Sequence, residues 1–167
     1  LEENNAHYVL TGKVHQGDHQ MREKLNQVLK IVESDPVLRE RVHYIQDYDE
    51  ELGFALAVGS DVAINVPIVG LEACGTSFMK DIANLKILIS TADGGVADLS
   101  PPPCLEVSGA NYEAEVKSLY GQMARAGRIL KNDGWHETQV GRQLAGYIPV
   151  ISGARMMKDY LKLIFGN

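Results

Sequence analysis

A chain of 167 residues with 45% apolar content is long enough for one domain with a sizeable core. Sixteen basic against 22 acidic residues leave a net charge of -6 with no basic stripe, which argues against a nucleic-acid partner. No apolar run approaches a membrane span and no signal peptide is visible. The two cysteines, Cys74 and Cys104, form neither a disulfide framework nor a zinc spacing, so a reducing cytoplasm is the expected compartment.

Residues 7–14 (HYVLTGKV) read as a buried strand. Gly17 and Asp18 then open a helix whose apolar face is Met21, Leu25, Val28, Leu29 and Val32. Pro36 favours a break. Residues 41–48 (RVHYIQDY) read as a second strand, and Asp49 is positioned to cap a short helix. Residues 61–65 (DVAIN) and 86–90 (KILIS) read as two further strands on either side of a helix that carries Lys80. Strand and helix in alternation predict a parallel sheet with crossover helices, and ligands of such sheets bind beyond the carboxyl ends of the strands. Tyr48, Asn65, the 70–76 loop and Asp93-Gly94 all fall at such ends.

The C-terminal third changes character. Ser100-Pro101-Pro102-Pro103 is a stiff stop. From Asn111 the spacing is helical, with Val116, Leu119, Tyr120, Met123 and Leu130 on one side. A last helix from about Ser152 places Met156, Met157, Tyr160, Leu161 and Ile164 at core-like spacing, and Trp135 reads as a packing anchor. The expected organisation is a Rossmann-like cofactor-binding domain over residues 1–110, with helices over 111–167 packed on it. The chain opens on Leu1 rather than methionine, a few residues before its first strand, as a domain cut from a longer protein would.

The segment Gly70-Leu71-Glu72-Ala73-Cys74-Gly75-Thr76-Ser77-Phe78-Met79-Lys80 carries the chemistry. A small-residue turn running into a helix aims main-chain N–H groups at an anion. A lysine beside such a turn holds a phosphate as a point charge, or its amine condenses with an aldehyde. The second use suggests pyridoxal phosphate, which carries both groups on one ring. By itself, a lysine on a helix is most often a solvated one, Glu72 a surface carboxylate and Tyr48 a cap on the core. His15 and His19, four apart, lack the further ligands a metal needs, so no metal site is expected. No histidine is linked by sequence to Cys74, which speaks against a catalytic thiol.

The motif Glu72-Ala73-Cys74-Gly75-Thr76-Ser77-Phe78-Met79-Lys80-Asp81-Ile82-Ala83-Asn84-Leu85 resembles E-A-S-G-T-(S/G)-x-M-K-x-x-x-N-G of the alpha-glucan phosphorylase family, the glycogen, starch and maltodextrin phosphorylases. Gly12-Lys13-Val14-His15, Gln46-Asp47-Tyr48, Asp93-Gly94 and the tail of residues 149–160 (PVISGARMMKDY) are similar to family stretches in the same order. The resemblance implies the C-terminal half of a GT-B fold, an α/β domain with a Rossmann-like parallel sheet flanked by helices and a helical C-terminal extension. It implies pyridoxal 5'-phosphate held by Lys80, and phosphorolysis of an alpha-1,4-glucan by inorganic phosphate to glucose 1-phosphate. Gly75, Thr76, Ser77 and Tyr48 would contact the cofactor phosphate. Glu72, Ala73, Cys74 and Gly75 would line the glucose site, and Asn84 would brace the helix. The catalytic set implied is Lys80 and Glu72.

Several positions depart from the family pattern. Cys74 replaces a serine, Phe78 adds bulk where glycine or asparagine is usual near the cofactor, and Leu85 replaces a glycine. Asp49 follows Tyr48 where some members have an arginine, and Ile68-Val69-Gly70 stands where others carry arginines and a proline. The family's basic phosphate-binding residues and its N-terminal GT-B domain would precede Leu1, so the isolated chain is expected to be inactive, with an uncovered face that promotes self-association. Two other functions share the fold: a sugar-nucleotide glycosyltransferase, which needs no lysine at position 80, and a non-catalytic module that binds glucan or a partner.

Overall fold

The computed structural model describes residues 5–166. The chain divides into two compact units, Leu1–Leu56 and Ala57–Asn167. In the first, strand β1 (Tyr8–Thr11) leads to α1 (His19–Ser34), α2 (Pro36–Arg41) and β2 (Val42–Ile45), and β2 pairs in parallel with β1. The side chain of Asp18 accepts from the Met21 N–H to start α1. Asp35 repeats the device at α2, accepting from Val37 and Leu38 ahead of Pro36 at the first helical position. Asp49 caps α3 (Glu50–Gly59) through the Leu52 N–H. Among its described residues this unit contains none that is fully buried. On α1 the expected face is half-buried at Leu25, Leu29 and Val32, whereas Met21 and Val28 are exposed.

The second unit holds the core. Strands β3 (Val62–Asn65), β4 (Ile87–Ser90) and β5 (Leu105–Glu106) form a parallel sheet in that order, with Ala63 opposite Leu88 and Ile89 opposite Leu105. All four residues of β4 are buried because both faces of this central strand are covered. Its alternation sorts them. Ile87 and Ile89 face a cluster with Leu105, Val107, Ala126 and Ile129, the last two from α6 (Tyr112–Leu130). Leu88 faces the other way, against Phe78 and Ile82 of α4 (Ser77–Ala83) and Val96 of α5 (Gly94–Ala97). Each fully buried side chain of this size contributes about 2 kcal/mol, so the sheet and its two covering layers hold the unit together.

The strands run parallel and lie between helices, as their alternation predicts. Their hydrogen bonds form two parallel sheets, β1–β2 in the first unit and β3–β4–β5 in the second. Helix α6 packs on the β3–β5 sheet inside the second unit.

Asn111 caps α6 through the Ala114 N–H, and Asn132 caps α7 (Asp133–Arg142) through that of Trp135. A π-helical turn, Gln143–Tyr147, joins α7 to α8 (Ile148–Ile151), and Ser152 caps α9 (Gly153–Phe165). Helical spacing correctly marks Val116, Leu119, Met123 and Leu130 of α6 as half-buried, but Tyr120 and Trp135 are exposed. So are Met156, Met157, Tyr160, Leu161 and Ile164 of α9, which were expected in the core. An apolar period shows that a helix has an apolar face, not that the chain covers it.

Helix α4 ends in a left-handed residue, Leu85, at φ 61. A glycine takes this conformation without strain, whereas a leucine gives up about 1–2 kcal/mol. Half-burial of the Leu85 side chain returns about 1 kcal/mol. Leu85→Gly is therefore expected to leave the urea midpoint nearly unchanged. Leu85→Ala, which keeps the backbone strain and loses the contacts, is expected to cost about 1 kcal/mol at constant m-value.

Candidate functional site

The site is built where two neighbouring parallel strands end. The loop after β3 carries Glu72 to Thr76 and runs into α4. The turn after β4 carries Asp93, Gly94 and Gly95 into α5. One carboxylate joins them: Asp93 Oδ2 accepts the N–H groups of Gly70 (2.9 Å) and Glu72 (3.0 Å). These main-chain donors, that of Glu72 foremost, hold the Asp93 carboxyl below its usual range. The loop is tied again by the Gly95 N–H, which donates to the Cys74 carbonyl at 2.9 Å.

This approach requires glycine at 94 and 95. Gly94 sits at φ 50, and a Cβ there would lie 2.9 Å from Glu72 Cγ and 3.2 Å from Cys74 Cα. At Gly95 it would lie 2.9 Å from the Phe78 ring and 3.0 Å from Cys74 Sγ. Phe78, expected to add bulk near the cofactor, is wholly buried, and its ring occupies the space that a side chain at 95 would need.

Above that floor the polar groups are available. Gly75 turns the chain at φ 65, and the Glu72 carboxyl group lies over its α-carbon, 3.1–3.2 Å from where a Cβ would stand. The Glu72 carboxylate makes no hydrogen bond among the described residues. Neither do the N–H groups of Gly75, Thr76 and Ser77. Thr76 occupies the N-cap position of α4, yet its hydroxyl does not cap the helix. Lys80 stands on the exposed side of α4, with no ion pair for its amine among the described residues. Its carbonyl is fastened, accepting both the N–H of Asn84 (3.0 Å) and the Asn84 Nδ2 (2.8 Å).

The structure thus gathers Glu72, Ala73, Cys74, Gly75, Thr76 and Ser77 in one loop and places Lys80 within a turn of its end. Tyr48 belongs to the first unit, where its phenol lies over Gly53 of α3 and leaves no room there for a side chain. Among the described residues no group of three metal-ligating side chains occurs. Burial, aided by the charge of Glu106, pushes the Cys104 thiol up to about 11, so it is a neutral packing group at physiological pH. Sequence reasoning assigned no role to Asp93 beyond its place at a strand end. The signal was available in the pairing of an aspartate with two glycines at the end of an apolar strand.

A family model described as carbohydrate phosphorylase matches residues 3–102. The glycogen phosphorylase of Mycobacterium tuberculosis (strain H37Rv) is 27% identical over 179 aligned positions, covering 96% of this chain and 20% of that protein. The glycogen phosphorylase of Aquifex aeolicus is 35% identical over 86 residues, covering 52% of this chain and 12% of the relative. The chain therefore spans about a fifth, or less, of the length of these relatives. Among solved structures, the catalytic domain of starch synthase IV from Arabidopsis thaliana, determined with ADP and acarbose, superposes with a TM-score of 0.63 at 17% identity. It covers 97% of this chain and 33% of that one, and shows that the two share a fold, that of a GT-B glycosyltransferase.

The Asp93 clamp gives a pH dependence of definite sign. A depressed folded-state pKa contributes stability above the ordinary aspartate value, about 3.9, and loses it as pH falls through the lower folded value. Amide protection of Gly70 and Glu72, corrected for intrinsic exchange, is expected to hold from pH 7 to 4.5 and to fall only below the ordinary range. Asp93→Ala is expected to abolish that protection at every pH while β4 amides stay protected, as read by hydrogen exchange.

Proposed function

Because the chain belongs to the carbohydrate phosphorylase family, we propose that it is the cofactor-binding part of an alpha-glucan phosphorylase, acting in the cytoplasm, with Lys80 as the residue that holds pyridoxal 5'-phosphate. The supporting observation is an exposed amine without an ion pair, set within one helical turn of three main-chain donors that meet no protein acceptor among the described residues. An aldehyde with a phosphate on the same small ring needs both, at that short separation. These residues fit the group.

When bound, pyridoxal 5'-phosphate would supply a phosphate that acts as proton relay for inorganic phosphate, which bonds to the anomeric carbon of the terminal glucose of an alpha-1,4-glucan as the glycosidic bond breaks, the shortened glucan leaving with the proton and glucose 1-phosphate being formed. Lys80 would hold the cofactor through its amine. The N–H groups of Gly75, Thr76 and Ser77 and the Thr76 hydroxyl would orient its phosphate. The family motif alone assigns Tyr48 to the same phosphate. The Glu72 carboxylate, left free by the protein, would accept hydrogen bonds from glucose hydroxyls, and the loop N–H groups at 73–75 would donate to them. Cys74 would contribute through its main chain, so its difference from serine is mild. Residues 1–110 would form the cofactor-binding portion and the helices of 111–167 its support.

Borohydride reduction of the protein mixed with pyridoxal 5'-phosphate is expected to yield one stable adduct by intact mass. Peptide mapping is expected to place it on Lys80, and Lys80→Ala is expected to remove it. Label spread evenly over surface lysines, or an undiminished adduct in the variant, would overturn the assignment. A colourless protein that binds a nucleotide sugar would favour the glycosyltransferase reading. Spanning a fifth of its relatives, the 167-residue polypeptide by itself is expected to release no glucose 1-phosphate from a glucan in a coupled assay.

A further inference from the structure

The far end of α4 is tied to β4 more firmly than its size requires. Lys86, the residue before β4, donates from its N–H to the Asp81 carbonyl (3.1 Å) and from Nζ to Asp81 Oδ1 (3.0 Å). The Lys86 side chain is 5% exposed and that of Asp81 18%. Behind them lies Gln143, wholly buried at the start of the π-helical turn, whose Nε2 donates to the Lys86 carbonyl. Its Oε1 has no partner among the described residues. Tyr147 and Ile148 of the same helical segment pack on the cluster of Phe78 and Ile82. A polar line thus runs from the C-terminal helices through Gln143 and Lys86 to Asp81, the residue next to Lys80.

We propose that Gln143, Lys86 and Asp81 are a positioning relay that sets the angle of α4, and with it the distance between the Lys80 amine and the N–H donors of residues 75–77. The inference rests on the reading of Lys80 given above. Two turns of helix hold few hydrogen bonds of their own and do not keep an angle unaided. Burying a lysine and an aspartate to do so costs desolvation that an apolar contact avoids, and what the charged pair adds is a directed, single geometry. A ligand gripped at its aldehyde and at its phosphate needs that geometry, because the second contact gains only when the first leaves it in reach. None of the three side chains is assigned a contact with the ligand. They act on spacing alone.

The test compares two aldehydes on the full chain. Pyridoxal 5'-phosphate and pyridoxal, at equal concentration, are trapped on Lys80 by borohydride and quantified by peptide mass. The ratio of the two rates measures the advantage conferred by the phosphate. The parent is expected to show a large ratio. Lys86→Met and Gln143→Met are expected to lower it about tenfold, with the pyridoxal rate and the circular dichroism spectrum unchanged. Loss of stability alone moves the spectrum, not the ratio in folded protein. Should Lys86→Met lose its helical signal, Asp81→Asn, at the more exposed end of the line, carries the same comparison. A ratio preserved in the folded variants overturns the relay and leaves the Lys80 assignment standing. A ratio of one in the parent overturns both.

Discussion

The carboxylate of Asp93 is the constraint from which the shape of the candidate site follows. Parallel strands place their carboxyl ends side by side but leave the loops beyond them undirected. Here one loop ends in an acceptor and the other offers two unpaired donors, Gly70 and Glu72, so the two close on each other. With those donors engaged, the N–H groups of Gly75, Thr76 and Ser77 further along the loop meet no protein acceptor among the described residues. Asp93 thus fixes which donors of the loop are used in folding.

Packing beneath the loop obeys the same economy of space. The Phe78 ring fills the volume between α4 and α5, and it can do so only because residue 95 has no side chain. The ring belongs to one buried cluster with Ile82, Leu88 and Val96. The site rests directly on the most buried part of the molecule, which favours a fixed arrangement of its donors.

Much of this was legible in the amino-acid order. Asp18, Asp49 and Asn111 announce helix starts because a short polar side chain satisfies a free N–H there. The run Lys86-Ile87-Leu88-Ile89-Ser90 announces a strand covered on both faces, and its alternation is what sorts the two core clusters. Less legible was anything that depends on a distant partner. The direction in which Phe78 points is decided by Gly95, seventeen positions on. The apolar stripe of α9 fixes a face without saying what meets it, and Met156 and Leu161 stand exposed. The pairing of β1 with β2 is separate from that of β3, β4 and β5, and nothing in the local pattern of these strands announces it.

The π-helical turn between α7 and α8 has a consequence for how sequences of this kind can drift. Residues 133–151 form a nearly continuous helical rod, and the wide turn accommodates about one residue more than an α-helix would. The wide turn absorbs that surplus within itself, so the residues downstream keep the azimuth they would have in an α-helix one residue shorter. It is this phase that lets Gln143 and Ile148 both point inward. Loss of a single residue from Leu144 to Gly146 would regularise the rod and leave Ile148 and Ile151 on the side of Phe78, whereas an α-helical turn that kept every residue would rotate them away by about 100°. Here a deletion, ordinarily costly inside a helix, would be absorbed without rotating the support under the site.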